Sequence, residues 1–200
     1  NAHEDIFLHD DIVTAIAAEH TRWQAKQRSG MVALVGAPGS GKTLVLRKIC
    51  DHLSTDVRTL RLTPARQLSE PAEVLDWLST EMELEHAEPG WPGLADALLD
   101  AEPTVFIIDD AHRLLLRAVG GFSALRRLIN LMHATSGRHF WVVAFHRPTW
   151  SFLEGHAVPV NIDLFRTRLD IAPLSPVRLA TWLGGNTRTA GFDFDFDNLI

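Results

Sequence analysis

The clearest chemical pattern in the chain is one glycine-rich segment, Gly36-Ala37-Pro38-Gly39-Ser40-Gly41-Lys42-Thr43. Its glycines lack a Cβ and permit positive φ angles, so successive backbone N–H groups can turn toward a phosphate. The ammonium of Lys42 can reach the outer phosphates, and the Thr43 hydroxyl can ligate Mg²⁺. Leu44 begins the next helix, whose N-terminal dipole also favours an anion. We therefore predict a phosphate-binding loop at residues 36–44.

The residues on either side place this loop between a strand and a helix. The apolar run Met31–Val35 precedes it, and the helix-like run Leu44–Cys50 follows it. The alternative, an ordinary glycine-rich turn, is disfavoured because strand, spacing and helix all agree with phosphate binding. The segment resembles the Walker A motif of the P-loop NTPase superfamily. The resemblance implies that the residues of the loop bind a nucleoside triphosphate, namely Gly36, Ala37, Pro38, Gly39, Ser40, Gly41, Lys42, Thr43 and Leu44.

Two adjacent carboxylates, Asp109 and Asp110, form the second pattern. They follow Thr104–Ile108, a short β-branched and aromatic run typical of a buried parallel strand, and ligands bind at the C-terminal ends of such strands. The alternative is a strand that ends in a helix cap with two solvated acids. The stretch resembles a Walker B strand. This implies that Asp109 holds Mg²⁺ opposite Thr43 and that Asp110 polarises the attacking water.

The polar residue His146 ends another buried-type strand, Arg138–His146. In ATPases of this kind the corresponding residue, sensor 1, contacts the γ-phosphate or the attacking water. His146 departs from the commoner Asn, Ser or Thr, and a histidine in a surface loop is the alternative.

Arginines near the end of the chain supply the remaining candidates. Arg166 and Arg168 precede the predicted strand Leu169–Ala172, at a position that resembles an arginine-finger region. The alternative is that both are surface arginines beside a strand. Arg188 is a candidate for a sensor 2 arginine in an incomplete lid.

The order of these motifs resembles the AAA+ and related STAND ATPases over about residues 30–183. The resemblance implies an α/β fold of three layers, with a mainly parallel sheet of order 5-1-4-3-2 and helices on both faces. Ile108–Leu114 resembles the Walker B of bacterial transposition-helper and STAND-regulator ATPases. Asp110 stands where AAA+ motors usually carry Glu, and the shorter side chain implies slow turnover.

The rest of the chain organises into three predicted parts. Residues 1–30 hold a tag remnant, inferred from Asn1-Ala2 and the missing initiator Met, and a leading helix at 10–28. Residues 31–175 form the P-loop core, and residues 176–200 begin a truncated C-terminal lid. Within the core we predict a strand at 57–62, helices at 70–86, 94–100 and 121–135, and a loop beginning at Arg147-Pro148.

Composition limits the classes of partner. The chain has 200 residues, 46% of them hydrophobic and 22% charged, and a net charge of -6, which argues mildly against a whole-surface nucleic-acid binder. Its single cysteine, Cys50, excludes an internal disulfide framework and suits the cytoplasm. No apolar run approaches the length of a membrane span. We therefore expect a cytoplasmic protein, or the cytoplasmic domain of a larger one.

Three functions are compatible with these observations. The first is an ATPase that uses ATP and Mg²⁺ to drive conformational change or assembly of a larger protein. The second is a nucleotide-dependent switch or scaffold with marginal turnover, whose bound ATP or ADP sets the binding of a protein partner. The third is a P-loop kinase for a small molecule, disfavoured because the adjacent acids suit water activation. GTP is disfavoured because no N-K-x-D motif occurs.

Overall fold

The computed structural model describes most of the predicted core. Its described residues are 9–26, 29–53, 57–84, 88–115, 121–155 and 160–173. The predicted lid at 176–200 and the sensor 2 candidate Arg188 lie outside these ranges. Among the described helices, none combines the length and the apolar character that crossing a bilayer requires.

Strands and helices alternate along the described residues, as expected for a parallel α/β sheet. The strands are β1 Met31–Gly36, β2 Arg58–Leu62, β3 Thr104–Ile108, β4 Phe140–His146 and β5 Thr167–Ile171. The α-helices are α1 Asp10–Gln24, α2 Lys42–Leu53, α3 Pro71–Met82, α4 Trp91–Asp100, α5 Ser123–Thr135 and α6 Arg147–Glu154. Short 3₁₀ turns occupy Ala111–Leu114 and Ile162–Leu164.

All five strands are parallel and lie in the order β2-β3-β4-β1-β5. This confirms the predicted order 5-1-4-3-2. Because β1 and β4 are neighbours, Gly36 pairs with His146 in the strand register. The ends of β1, β3 and β4 therefore meet at one edge of the sheet, where open α/β sheets bind ligands.

Both faces of the sheet are covered by helices, and the alternation of side chains along each strand divides the core in two. On one face β1 and β4 contribute Val32, Leu34, Val142 and Ala144, packed with residues of α1 and α2. On the opposite face the same strands contribute Met31, Ala33, Val35, Trp141, Val143 and Phe145, packed with α3 to α6. The result is the three-layer arrangement that the sequence predicted.

The structure differs from two local predictions. The loop predicted at Arg147-Pro148 is wrong, because α6 begins there directly after β4. Pro148 lies in the first turn of this helix, where the N–H that proline lacks has no intrahelical acceptor. Arg168 lies inside β5 and not before it, because β5 begins at Thr167.

The buried imidazole of His139, the residue before β4, hydrogen-bonds to both α4 and the first residue of β3. Its Nε2 lies 2.6 Å from the carbonyl oxygen of Leu98, and its Nδ1 accepts the backbone N–H of Thr104 at 3.2 Å. With Nδ1 accepting, the neutral ring carries its proton on Nε2 and donates it to Leu98. The side chain is fully buried, and this desolvation lowers the pKa of His139.

We predict that His139 makes the fold sensitive to acid. At pH 7 the ring is neutral in both states; as the pH falls through about 6.5, the unfolded chain gains a proton that the folded ring resists. The free energy of unfolding should therefore fall by up to about 2 kcal/mol more between pH 7 and pH 5 in the wild type than in His139→Asn. Urea unfolding at several pH values measures this difference. The exposed position His133→Asn is the control and should keep the wild-type slope.

Candidate functional site

The loop between β1 and α2 has the backbone geometry that the glycine pattern predicts. Gly39 and Gly41 adopt φ angles of +74° and +93°, which favour glycine. A Cβ on Gly36 would lie 2.4 Å from the Ser40 hydroxyl, so this position also requires glycine. The loop thus turns tightly from the strand into the helix, with its backbone open to a ligand.

Lys42 lies at the start of α2, and its side chain folds over the loop. Nζ donates to the carbonyl oxygens of Gly36 at 3.1 Å and Ala37 at 2.7 Å. Burial lowers the pKa of Lys42, and the carboxylates of Asp109 and Asp110 oppose that shift. The ammonium is therefore held at the loop, close to both acids.

The carboxylate of Asp109 is the best-connected group at this edge of the sheet. It is 2% exposed, and its Oδ2 accepts from the Thr43 hydroxyl at 2.9 Å and from a guanidinium nitrogen of Arg61 at 2.9 Å. Its Oδ1 accepts from the backbone N–H of Asp110 at 2.9 Å. The two residues assigned to Mg²⁺ from the sequence, Thr43 and Asp109, are therefore in direct contact.

Asp110 turns away from this cluster. Its φ of 54° lies in the left-handed region, and it begins the 3₁₀ turn Ala111–Leu114. The carboxylate is partly exposed, 3.7 Å from Nδ1 of His112 and 3.5 Å from Nε of Arg113. Asp109 and Asp110 are consecutive in sequence, yet one is locked in the core and the other faces the open edge.

His146 at the end of β4 lies against the turn that follows β3. Its ring stacks on that of His112, with centroids 3.8 Å apart and an interplanar angle of 19°. Desolvation lowers the pKa of both histidines, and the positive charge of Lys42 contributes in the same direction to each. Nearby Asp110 raises both values in opposition. The structure thus brings His146 beside Asp110 and into the electrostatic field of Lys42.

The two arginines proposed for the finger position differ in their surroundings. Arg168 forms ion pairs with Glu154 and Asp170 and lies over the ring of Trp150 at 5.5 Å. Its engagement with Asp170 raises the pKa of Arg168 further. Arg166 is exposed, lines a cleft of about 700 Å³ between α6 and β5, and has no ion pair with another described residue.

Two buried polar atoms at the loop lack a hydrogen-bond partner among the described residues. They are Oγ of Ser40 and Nε2 of His9. A Cβ placed on Gly41 would lie 3.1 Å from this His9 nitrogen, so the ring lies against the loop. Unpaired buried polar atoms are costly, and a phosphate group with its many acceptor oxygens fits the donors collected here.

Sequence reasoning missed three residues of this site. His9 precedes the leading helix and gives no signal of proximity to the loop. Arg61 belongs to an alternating strand, which indicates a solvated side chain until the order of the sheet places β2 beside β3. His112 follows the two acids, and its position in the Walker B stretch was the one available signal.

Comparisons with known proteins show which family and fold the chain resembles. A family model described as an AAA domain matches residues 25–150. No curated protein matches the chain in sequence.

Several solved structures share the fold of this chain at low sequence identity. Cdc6p from Pyrobaculum aerophilum is 14% identical, with a TM-score of 0.64 over 92% of this chain and 50% of that one. The Aeropyrum pernix ORC1 protein in complex with DNA is 17% identical, with a TM-score of 0.64 and the same coverage.

The Aeropyrum pernix ORC2 protein, solved as ADPNP-ADP complexes, is 13% identical with a TM-score of 0.58, covering 89% of this chain and 51% of that one. The chain thus spans about half the length of these structures. At sequence identities of 13% to 17%, the structural similarity establishes the fold alone. The match to the family model shows the family. The chain belongs to the AAA domain family, within the AAA+ class of P-loop nucleoside triphosphatases.

Proposed function

We propose that this chain is an ATP-binding and ATP-hydrolysing module that uses Mg²⁺ to drive conformational change or assembly of a larger protein. The observation that carries the proposal is the 2.9 Å hydrogen bond between Thr43 of the glycine loop and the buried carboxylate of Asp109. It joins the two sequence motifs into one site. Calorimetric titration with ATP, with and without Mg²⁺, together with measured phosphate release, tests the proposal.

Each residue of the site has a role in this mechanism. The backbone N–H groups of the loop, which Pro38 alone among residues 36–44 lacks, bind the phosphates, and Lys42 leaves the carbonyls of Gly36 and Ala37 to contact the outer ones. Thr43 and Asp109 would hold Mg²⁺, and the ion would supply positive charge to the phosphate oxygens. Arg61 keeps the Asp109 carboxylate oriented. Asp110 orients the attacking water, and His146 senses the γ-phosphate.

The proposal extends to domains and partners. The helices and strands from β1 to β5 support a core at residues 31–175, with residues 176–200 proposed as the start of a lid. We propose self-assembly or a protein partner, because Arg166 is exposed at the finger position. One related structure holds DNA, but the net charge of -6 does not favour nucleic acid here. The single Cys50 supports a reducing compartment, which we propose to be the cytoplasm.

A nucleotide-dependent switch with marginal turnover is the second candidate. It is favoured by the surroundings of Asp110, whose short carboxylate lies near Arg113 and His112 and is thus partly engaged. A carboxylate beside a guanidinium and an imidazole is less available to orient a water molecule, because these groups compete for its oxygens. If hydrolysis is slow, ATP stays bound, and whether ATP or ADP occupies the site sets the binding of a protein partner.

The first prediction from this proposal concerns Lys42. Lys42→Ala should weaken binding of Mg-ATP about 10- to 100-fold, because a charge-assisted contact to phosphate is lost. Isothermal titration calorimetry measures the change. Lys48→Ala on the same helix is the control and should bind ATP like the wild type. If Lys42→Ala bound Mg-ATP with wild-type affinity, the assignment of this loop as the phosphate-binding site would be wrong.

The second prediction separates the two acids. Asp110→Asn should retain ATP binding and lose about 100-fold or more in phosphate release, because the water is no longer oriented by a carboxylate. Asparagine also tolerates the left-handed backbone at this position. Asp109→Asn should instead alter the Mg²⁺ dependence of ATP binding. Unchanged steady-state phosphate release in Asp110→Asn contradicts its role.

The third prediction concerns assembly. If Arg166 reaches the γ-phosphate of a neighbouring copy, hydrolysis per chain should rise with protein concentration. An arginine finger supplied in trans can raise turnover about a thousandfold. Arg166→Ala should flatten the rise and keep ATP affinity, whereas Arg126→Ala at an exposed position of α5 should behave as wild type. A constant rate per chain across the concentration range, in the wild type and both variants, would leave Arg166 as surface charge.

A further inference from the structure

A cluster of three potential metal ligands lies beside the proposed Mg²⁺ residues. One ligand atom from each of Asp110, His112 and His146 can be chosen so that all three lie within 4.8 Å of one another. The residues come from two neighbouring strands: two follow β3 and the third ends β4. All three side chains are partly exposed, so an ion could enter from solvent.

One nitrogen atom of this cluster has no hydrogen-bond partner among the described residues. Nδ1 of His112 is buried and has no hydrogen-bond partner there. Oδ1 of Asp110 lies 3.7 Å from this nitrogen, beyond hydrogen-bond reach. A buried unpaired nitrogen is costly and calls for a function or a ligand.

The electrostatic setting favours the form of histidine that binds metal. Burial lowers the pKa of both His112 and His146, and the charge of His112 lowers that of His146 as well. A metal binds the neutral imidazole, which is the form that burial favours. The two rings stack on each other beside the carboxylate of Asp110, so three potential ligands lie together.

We propose that Asp110, His112 and His146 form a binding site for a divalent transition metal of the zinc class, separate from the Mg²⁺ residues Thr43 and Asp109. Two imidazoles and one carboxylate are a recognised zinc ligand set that leaves a fourth position open. Tetrahedral coordination at about 2.1 Å needs ligand atoms roughly 3.4 Å apart. Binding would therefore require the two stacked rings to rotate until their lone pairs converge on the ion. Mg²⁺ prefers oxygen ligands, so the imidazoles select against it.

The site has a regulatory consequence that rests on the proposed function. A metal bound here occupies the carboxylate of Asp110 and the ring of His146. Both are then withdrawn from the attacking water and the γ-phosphate. The metal would therefore hold the protein in a state that binds ATP and does not hydrolyse it.

Cobalt is a suitable probe, because Co²⁺ occupies zinc sites and gives visible absorption bands when tetrahedrally coordinated. The full chain without nucleotide is titrated with Co²⁺ in the presence of excess Mg²⁺, and Zn²⁺ is then added. We expect one saturable equivalent of Co²⁺, displaced by Zn²⁺ and unaffected by Mg²⁺. Zn²⁺ should also raise the thermal unfolding midpoint, since a ligand that binds the folded state stabilises it.

Substitutions of the two histidines test whether they are the ligands of Co²⁺. His112→Gln and His146→Gln should each weaken Co²⁺ binding at least tenfold, and the double variant should lose both the absorption bands and the Zn²⁺-dependent rise in midpoint. The control His133→Ala, at an exposed position, should bind Co²⁺ like the wild type. Co²⁺ binding that persists in the double variant, or that Mg²⁺ displaces, overturns the proposal.

A second variant distinguishes this proposal from the proposed function. Lys42→Ala should bind Co²⁺ normally, because Lys42 is not a ligand of the cluster. Failure of the chain to bind ATP would therefore leave the metal site standing. Absence of Co²⁺ binding in a chain that binds ATP would remove the metal site alone.

Discussion

The buried carboxylate of Asp109 is the constraint on which the site depends. A charge that is 2% exposed is stable only when donors surround it, and three are present here. They come from the start of α2, from β2 and from the backbone of the next residue. Satisfying one carboxylate thus fixes the positions of the glycine loop, the strand β2 and the turn after β3 relative to one another.

The same requirement explains the different environments of the two adjacent acids. Because Asp109 takes the backbone N–H of Asp110, the chain turns there into a left-handed conformation and starts the 3₁₀ turn. This turn carries the carboxylate of Asp110 out of the core and stacks His112 on His146. Two consecutive acids thus have different environments, one buried and fully hydrogen-bonded and the other partly exposed, and this difference fits the separate roles that we propose for them.

The division of the core leaves this chemistry at the edge of the sheet. Side chains from β1 and β4 alternate between two apolar clusters, one under α1 and α2 and one under α3 to α6. Ile108, the last residue of β3, still belongs to the second of these clusters, and the polar site begins at the next residue, Asp109. Stability therefore comes mainly from buried apolar area, which leaves some polar side chains beyond the strand ends available to a ligand. Lys42 illustrates this, since in the described structure its ammonium contacts only two loop carbonyls.

The sequence by itself determined the glycine loop and the acidic pair, because each depends on local residue types, and the resemblance of its motif order to AAA+ ATPases implied the order of the five strands. Gly39 and Gly41 require positive φ angles wherever the chain places them, and the apolar run before Asp109 must be buried on both faces. The loop that we predicted at Arg147-Pro148 is wrong, because proline is compatible with both a loop and the first turn of a helix. The contacts of Arg61, the pairing of His112 with His146 and the tethering of Arg168 were decided only by the tertiary structure. Each depends on side chains from different elements, and the register of the strands and the packing of the turns after them bring these side chains within a few ångströms.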